Sequence, residues 1–154
     1  MSDNNYARTI TVSASRQDVH RALTEGFEHW WTTPDQAMTK VGDRARFTFP
    51  PGRSYWTFEA TQLSAGKRVE LECVDALHIH EGQPKDIEQE WLGTRAIWRI
   101  EARDGQTDIH FEHVGLNPSL HCYEICEAGW DFFFLDSLGA YLDSGVGKPH
   151  RAPG

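Results

Sequence analysis

The chain has 154 residues and a formal net charge of −8, from 23 acidic and 15 basic side chains, and 39% of its residues are hydrophobic. This length and composition predict one globular domain, with an ordered core over residues 6–145 and a tail over 146–154. Because Lys and Arg are scattered, neither nucleic acid nor an anionic membrane is an expected partner. With no long apolar run and no secretion signal, we expect a cytoplasmic protein.

The N-terminal part of the chain predicts one strand followed by two short helices. Apolar side chains alternate with Thr and Ser over residues 6–13, a pattern typical of a half-buried strand. Ser15 is placed to cap a helix over residues 16–23, because its hydroxyl can accept a hydrogen bond from the first helical turn. The aromatic residues between 27 and 31 predict a second short helical piece.

The middle of the chain predicts five more strands, joined mainly by tight turns. In each strand apolar and polar side chains alternate, and Gly, Pro or Asp-Gly stands at the turns. The predicted strands cover residues 44–49, 54–63, 67–77, 95–100 and 107–115, with turns at 50–52, 64–66 and 104–105 and a longer polar connection at 81–86.

A long amphipathic helix is expected over residues 119–143, about 25 residues. Its apolar side chains recur at spacings of three and four and share one stripe: Tyr123, Cys126, Trp130, Phe133, Phe134, Ser137, Leu138 and Tyr141. A stripe this rich in aromatic rings needs a concave apolar partner. We therefore expect the antiparallel sheet to curve round the helix, with Gly129 and Ser137 allowing close approach and a cavity remaining between sheet and helix.

Several local strings give this order of elements a family resemblance. Residues 10–23 resemble the opening strand and helix of the START-like, or SRPBCC, superfamily. Strings at 30–31, 41–47, 107–116, 128–130, 137–138 and 141–145 resemble its branch of activator of heat-shock-protein-90 ATPase homologue-like proteins. The resemblance implies an α+β helix-grip fold, in which a curved antiparallel sheet of about six strands wraps a long C-terminal helix, with two short helices after strand one. Members of the superfamily bind lipids, sterols or plant hormones, or cyclise polyketides.

The sequence favours binding of a small hydrophobic or aromatic molecule in an internal cavity, without a cofactor. Apolar burial would supply the affinity and a few polar groups the orientation. We expect Trp30 and Trp31 to stand near an entrance. The expected lining is Trp30, Trp31, Phe47, Phe58, Leu71, Trp98, Phe111, His113, Trp130, Phe133 and Phe134.

Other functions stay open at this level. His113 shares a strand face with Ile109 and Phe111, so it is either a hydrogen-bonded core histidine or the acid/base of a cyclase or dehydratase. Pairing of His113 with Glu59 would need a bulge. The chain could instead interact with a chaperone, or its aromatic rings could fill the core and leave no site. Whether it forms a homodimer is also left open.

No metal site is predicted from the sequence. His78 and His80 share a strand face and Glu81 follows, but a third ligand such as His110 or His121 would have to come from elsewhere. Cys122 and Cys126, beside His121, also resemble ligands. Cys122 is expected to lie about 100° round the helix from the buried stripe, which argues against a metal there. The odd number of cysteines, three, indicates reduced thiols.

Overall fold

The alternating segments form six strands, and the computed structural model describes residues 5–49, 54–78 and 85–149 of the chain. The strands are β1 Tyr6–Val12, β2 Arg44–Phe49, β3 Ser54–Ser64, β4 Arg68–Leu77, β5 Arg95–Arg103 and β6 Gln106–Val114. The helices are α1 Arg16–Ala22, two 3₁₀ turns at Phe27–His29 and Lys85–Gln89, and a C-terminal helix made of α2 Tyr123–Trp130, a π-helical segment Asp131–Leu138 and α3 Gly139–Ser144. The α+β helix-grip prediction is confirmed.

The strands form one antiparallel sheet in the order β1-β6-β5-β4-β3-β2. Strands β2 to β6 form a meander, and β1 completes the sheet by pairing with β6. Asp104 and Gly105 both have positive φ, which suits the two-residue turn between β5 and β6. The predicted turn at 50–52 and most of the connection at 81–86 lie outside the described residues.

The short helices form as the sequence predicts. Ser15 caps α1 by accepting a hydrogen bond from the Asp18 amide, and Val19 and Ala22 are buried. Trp30 follows the first 3₁₀ turn, and its indole N–H donates to the carbonyl of Ala22 at 2.8 Å. This bond joins the two short helices into one unit at the end of the sheet.

The C-terminal helix spans 22 residues and begins at Tyr123, four residues later than predicted. Glu90, from the loop before β5, accepts hydrogen bonds from the amides of His121 (2.8 Å) and Cys122 (2.9 Å) and so caps the helix from a distant part of the chain. In α2 the buried side chains of the stripe are Cys126 and Trp130. In the π-helical segment they are Phe134, Ser137 and Leu138.

Two small residues of the C-terminal helix, Gly129 and Ser137, were expected to allow close approach to the sheet. Gly129 is not a point of close approach, since a Cβ there would have no neighbour within 4 Å, and that expectation was wrong. Ser137 is buried and binds two backbone groups: its hydroxyl donates to the Trp30 carbonyl at 2.6 Å and accepts from the Lys148 amide at 2.7 Å. A Cβ on Gly147 would clash with the His29 carbonyl oxygen, so the backbone at Gly147 packs closely on the domain.

Charged side chains lie on the outer face of the sheet. Asp108 accepts from the Arg103 guanidinium at 2.7 and 3.2 Å and from the Thr11 hydroxyl at 2.7 Å. Glu70 accepts from Arg68 and Thr61 at 2.9 Å each. Among the described parts of the chain, none of the helices combines the length and the apolar character that crossing a bilayer requires.

Candidate ligand-binding site

Nine of the eleven side chains predicted to line a site belong to one buried hydrophobic cluster between the inner face of the sheet and the C-terminal helix, and a tenth, His113, is also buried. Strand alternation brings Phe58, Leu71, Trp98 and Phe111 to this face, as expected from their sequence pattern. Phe133 is the exception, because it is half-buried and packs at the edge of the cluster, 5.0 Å from the Phe132 ring.

The rings of this cluster contact one another directly. Trp130 is central, with ring centroids 4.7 Å from Phe111 and 4.9 Å from Trp31. Trp98 stacks on Phe111 at 4.7 Å, and Phe47 lies 4.6 Å from Trp31. These are ordinary contact distances for aromatic pairs, so these neighbouring rings touch one another.

Trp30 and Trp31 do not stand at an opening. Their side chains are 0% and 3% exposed, and their rings stack on each other at 6.0 Å. Both rings belong to the hydrophobic core, and the bond from the Trp30 indole to the Ala22 carbonyl ties Trp30 to the end of α1.

Trp91 is a central residue that the sequence did not single out. It follows the second 3₁₀ turn, outside any strand, so no alternation marks it as buried. Its ring stacks on Trp130 at 5.9 Å and 7°, and lies 4.5 Å from the His113 ring in an edge-on contact. The sequence signal that could have identified Trp91 as buried is a tryptophan in an otherwise polar connection.

His113 is buried among these rings, and both of its nitrogens are hydrogen-bonded. The Trp130 indole N–H donates to Nδ1 at 3.0 Å, and therefore Nε2 carries the proton and faces the Thr94 hydroxyl at 2.8 Å. Thr94 in turn donates to the Trp91 carbonyl at 2.6 Å. Burial lowers the pKa of His113 to about 3.

These contacts favour the core-histidine interpretation of His113 over the acid/base one. A catalytic base needs a nitrogen within reach of a substrate and a pKa near the working pH. Glu59 is not its partner either, because Glu59 faces outward and pairs with Arg44 at 2.7 Å. The bulges in β3 do not turn Glu59 inward.

Trp98 carries a buried polar group with no acceptor. Its side chain is fully buried, and its indole N–H has no hydrogen-bond partner among the residues that the structure describes. Leaving such a donor unpaired costs roughly 1–3 kcal/mol. An acceptor atom brought by a bound molecule would remove this cost.

Two further grooves are lined by residues that the structure describes. One of about 410 Å³ crosses β1, β5 and β6 and is lined largely by polar and charged side chains, including Arg8, Arg99 and Glu112. The other, about 290 Å³, lies beside the start of α2, where Leu120 and Tyr123 line it. Neither has the aromatic lining expected of the predicted cavity.

A second cluster joins residues that the sequence had placed in two separate candidate metal sites. His78, Cys122 and Cys126 are all buried, and one potential ligand atom from each lies within 4.8 Å of the others. Cys122 precedes α2 rather than lying on its outer face, so the argument that set it apart was wrong. His80 and Glu81 lie outside the described residues, and His121 is exposed.

The two thiols of this second cluster share a hydrogen bond. This hydrogen bond from Cys126 lowers the pKa of Cys122, and His78 adds to this effect. The same hydrogen bond and burial raise the pKa of Cys126. The pair therefore holds one proton more firmly than the other.

Comparison with known proteins places the fold among characterised structures. The family model described as Activator of Hsp90 ATPase homolog 1-like protein matches residues 13–143. The Aha1 dimer from Colwellia psychrerythraea is similar over 93% of this chain and 98% of its own, with 27% identity and a TM-score of 0.73.

More distant structures share the fold alone. DynU16, of the dynemicin biosynthetic locus, is 18% identical with a TM-score of 0.71, over 95% of this chain and 49% of its own. CalU16 from Micromonospora echinospora is 17% identical with a TM-score of 0.60, over 92% of this chain and 75% of its own. No curated protein matches the sequence significantly.

Proposed function

We propose, since the chain belongs to the family of Activator of Hsp90 ATPase homolog 1-like proteins, that it binds a small hydrophobic or aromatic ligand between the sheet and the C-terminal helix. The superfamily commonly binds hydrophobic ligands. The observation that carries the proposal here is the Trp98 indole N–H, which is buried in an aromatic wall and has no acceptor among the described residues. The ligand would be flat, apolar and equipped with one acceptor atom, such as a carbonyl oxygen.

Ligand entry requires the rings to separate, because they touch in the closed form. The π-helical segment is consistent with such a motion, since it carries Phe133 and Phe134 and since π-helical turns inside helices frequently occur at functional sites. Burial of a flat ligand would contribute about 25 cal/mol per Å² of apolar surface removed from water. Part of that gain would offset the lost contacts between the rings.

The test compares two probes of the same shape, 2-acetylnaphthalene and 2-ethylnaphthalene, by equilibrium dialysis. We expect the ketone to bind about tenfold more tightly to the wild-type protein, because only the ketone can accept from Trp98. In Trp98→Phe the two probes should bind equally. Trp56→Phe, a change to another buried tryptophan of the inner face, should preserve the preference for the ketone.

Native mass spectrometry of protein purified from its host provides the complementary measurement. A co-purifying molecule that is released on denaturation and carries an acceptor would support the proposal. Failure of both naphthalenes to bind, together with an apo mass from the host, would exclude ligand binding at this site. Three free thiols support the further proposal that the protein works in a reducing compartment such as the cytoplasm.

Interaction with a chaperone is the second candidate function. It is favoured by the family match and by the 27% identity to the Aha1 protein, whose structure is a dimer. The test mixes purified Hsp90 with the purified chain and measures the ATPase rate of Hsp90. A rate unchanged at saturating chain would reject this candidate.

The dimeric relative also supports a homodimer of this chain, which light scattering would detect as twice the 17.6 kDa chain mass. Phe132 is 43% exposed on the C-terminal helix, which makes Phe132→Ser a useful variant for that measurement. A mass of one chain at all concentrations tested would reject the dimer.

A further inference from the structure

We propose that His78, Cys122 and Cys126 form a binding site for one transition-metal ion of the Zn²⁺ type. The three side chains are buried, come from two distant parts of the chain and converge on one point. This site uses none of the residues that carry the ligand-binding proposal. It departs from the expectation of no metal, which treated His78 and the two cysteines as separate candidates and placed Cys122 away from the buried stripe.

The donor set is chemically selective. Two sulfur ligands and one imidazole nitrogen suit Zn²⁺ and other soft or borderline ions, whereas Mg²⁺ and Ca²⁺ prefer oxygen. With bonds of about 2.3 Å to sulfur and about 2.0 Å to nitrogen, a tetrahedral ion separates its ligand atoms by roughly 3.5–3.8 Å. The three atoms lie within 4.8 Å of one another, so displacements of about 1 Å or less would complete the site.

The backbone holds the ligands before any ion binds. His78 follows β4, and its amide donates to the Glu88 carbonyl at 2.9 Å. Cys122 and Cys126 are one helical turn apart, and the Cys126 amide donates to the Cys122 carbonyl at 2.8 Å. Glu90 fixes the Cys122 amide from the other side. The loop and the helix start are thus already fastened together around the three side chains.

Charge balance favours a divalent ion at this buried position. Two thiolates and a neutral imidazole carry a charge of −2, which a divalent cation neutralises, and a buried site tolerates an ion only when it is neutralised. Binding as thiolates releases the remaining thiol protons to solvent. Three protein ligands leave the fourth tetrahedral position for water or another small ligand.

The test titrates the reduced, full-length protein with Co²⁺ under anaerobic conditions and follows the thiolate-to-cobalt charge-transfer absorption and the visible bands of tetrahedral Co²⁺. We expect saturation at one equivalent and complete displacement by Zn²⁺. Cys122→Ser and Cys126→Ser should abolish the charge-transfer band or weaken it at least tenfold, and His78→Gln should change the visible bands. Cys73→Ser and His121→Gln, which alter the remaining thiol and the neighbouring histidine, should behave as wild type.

A second measurement needs no variant and therefore stands even if a substitution prevents folding. Wild-type protein is alkylated with iodoacetamide with and without Zn²⁺, and the modified cysteines are mapped by mass spectrometry. We expect Zn²⁺ to slow alkylation of Cys122 and Cys126 but not of Cys73. Equal alkylation rates with and without Zn²⁺, or a cobalt spectrum that persists in folded Cys122→Ser and Cys126→Ser, would overturn the proposal.

Discussion

Mild acid should destabilise the protein through His113. The folded protein keeps this imidazole neutral, because burial lowers its pKa from the ordinary value of 6.5 to about 3. The unfolded chain takes up a proton at His113 below about pH 6.5, whereas the folded chain does not until about pH 3. The stabilising contribution of the neutral imidazole is therefore complete above pH 6.5 and is lost progressively as the pH falls.

The magnitude follows from the separation of the two pKa values. Each pH unit between them changes the free energy of unfolding by about 1.4 kcal/mol. Lowering the pH from 7 to 5 should thus remove about 2 kcal/mol, a substantial part of the 5–15 kcal/mol typical of a domain. His20, whose pKa is also lowered by burial, adds in the same direction. A comparison with a variant is needed to isolate His113.

Urea unfolding of wild-type protein and of His113→Gln at pH 7, 6 and 5 makes this comparison. The variant should be less stable at pH 7, because it disturbs the bonds with Trp130 and Thr94, and the difference should shrink by about 2 kcal/mol at pH 5. A stability difference that stays constant with pH would refute the reasoning. If the variant does not fold, the wild-type imidazole NMR signal decides, since it should not titrate between pH 7 and 4.

Three further outcomes are expected from the same kind of measurement. Gly129→Ala should raise the free energy of unfolding by about 1 kcal/mol, because the position is helical and open to a Cβ; urea unfolding that shows a loss instead would contradict this. Gly115→Ala should lower it by about 2 kcal/mol in the same assay, since φ is +102° and the new Cβ would lie 2.6 Å from the Thr94 methyl carbon; an unchanged midpoint would refute the clash. The hydrogen bond from Arg68 lowers the pKa of Glu70. Glu70→Gln should therefore lower the free energy of unfolding above about pH 4.5, and the loss should shrink as the pH falls through the lowered pKa of Glu70. A loss that stays the same in urea unfolding between pH 7 and 3 would exclude this ion-pair effect.

Much of the fold could be predicted because local patterns and long-range packing agree. Alternation in residues 107–115 placed Ile109, Phe111 and His113 on one face, and all three are buried there. The Ser15 cap and the turn at 104–105 depend only on neighbours in sequence, so the sequence was sufficient for them.

The start of the C-terminal helix could not be predicted in this way. Its cap is the Glu90 carboxylate, about thirty residues away in the chain, and no local pattern encodes that contact. The burial of Trp91 could not be predicted for the same reason, since it depends on where the 3₁₀ turn Lys85–Gln89 positions this residue in the fold. The metal candidate was missed because its ligands belong to two strings that were judged separately.

The orientation of the rings in the aromatic cluster could not be predicted from the sequence either. A hydrophobic pattern identifies which side chains face inward, but ring orientation decides whether they leave room or touch. The hydrogen-bond chain from Trp130 through His113 to Thr94 depends on those orientations, and so does the Trp98 indole N–H, which has no acceptor in the described part of the chain. Such details arise from tertiary packing and have no counterpart in residue spacing.

The distant Glu90 cap has a consequence for local opening. Because one carboxylate holds the amides of His121 and Cys122, the segment around Glu90 and the first turn of the helix should detach as a single cooperative unit. Detachment would expose the thiols of Cys122 and Cys126 to solvent and leave the strands of the sheet paired. Deuterium exchange of amide protons on both sides of this junction should accordingly give one common free energy of opening, although some thirty residues separate them along the polypeptide.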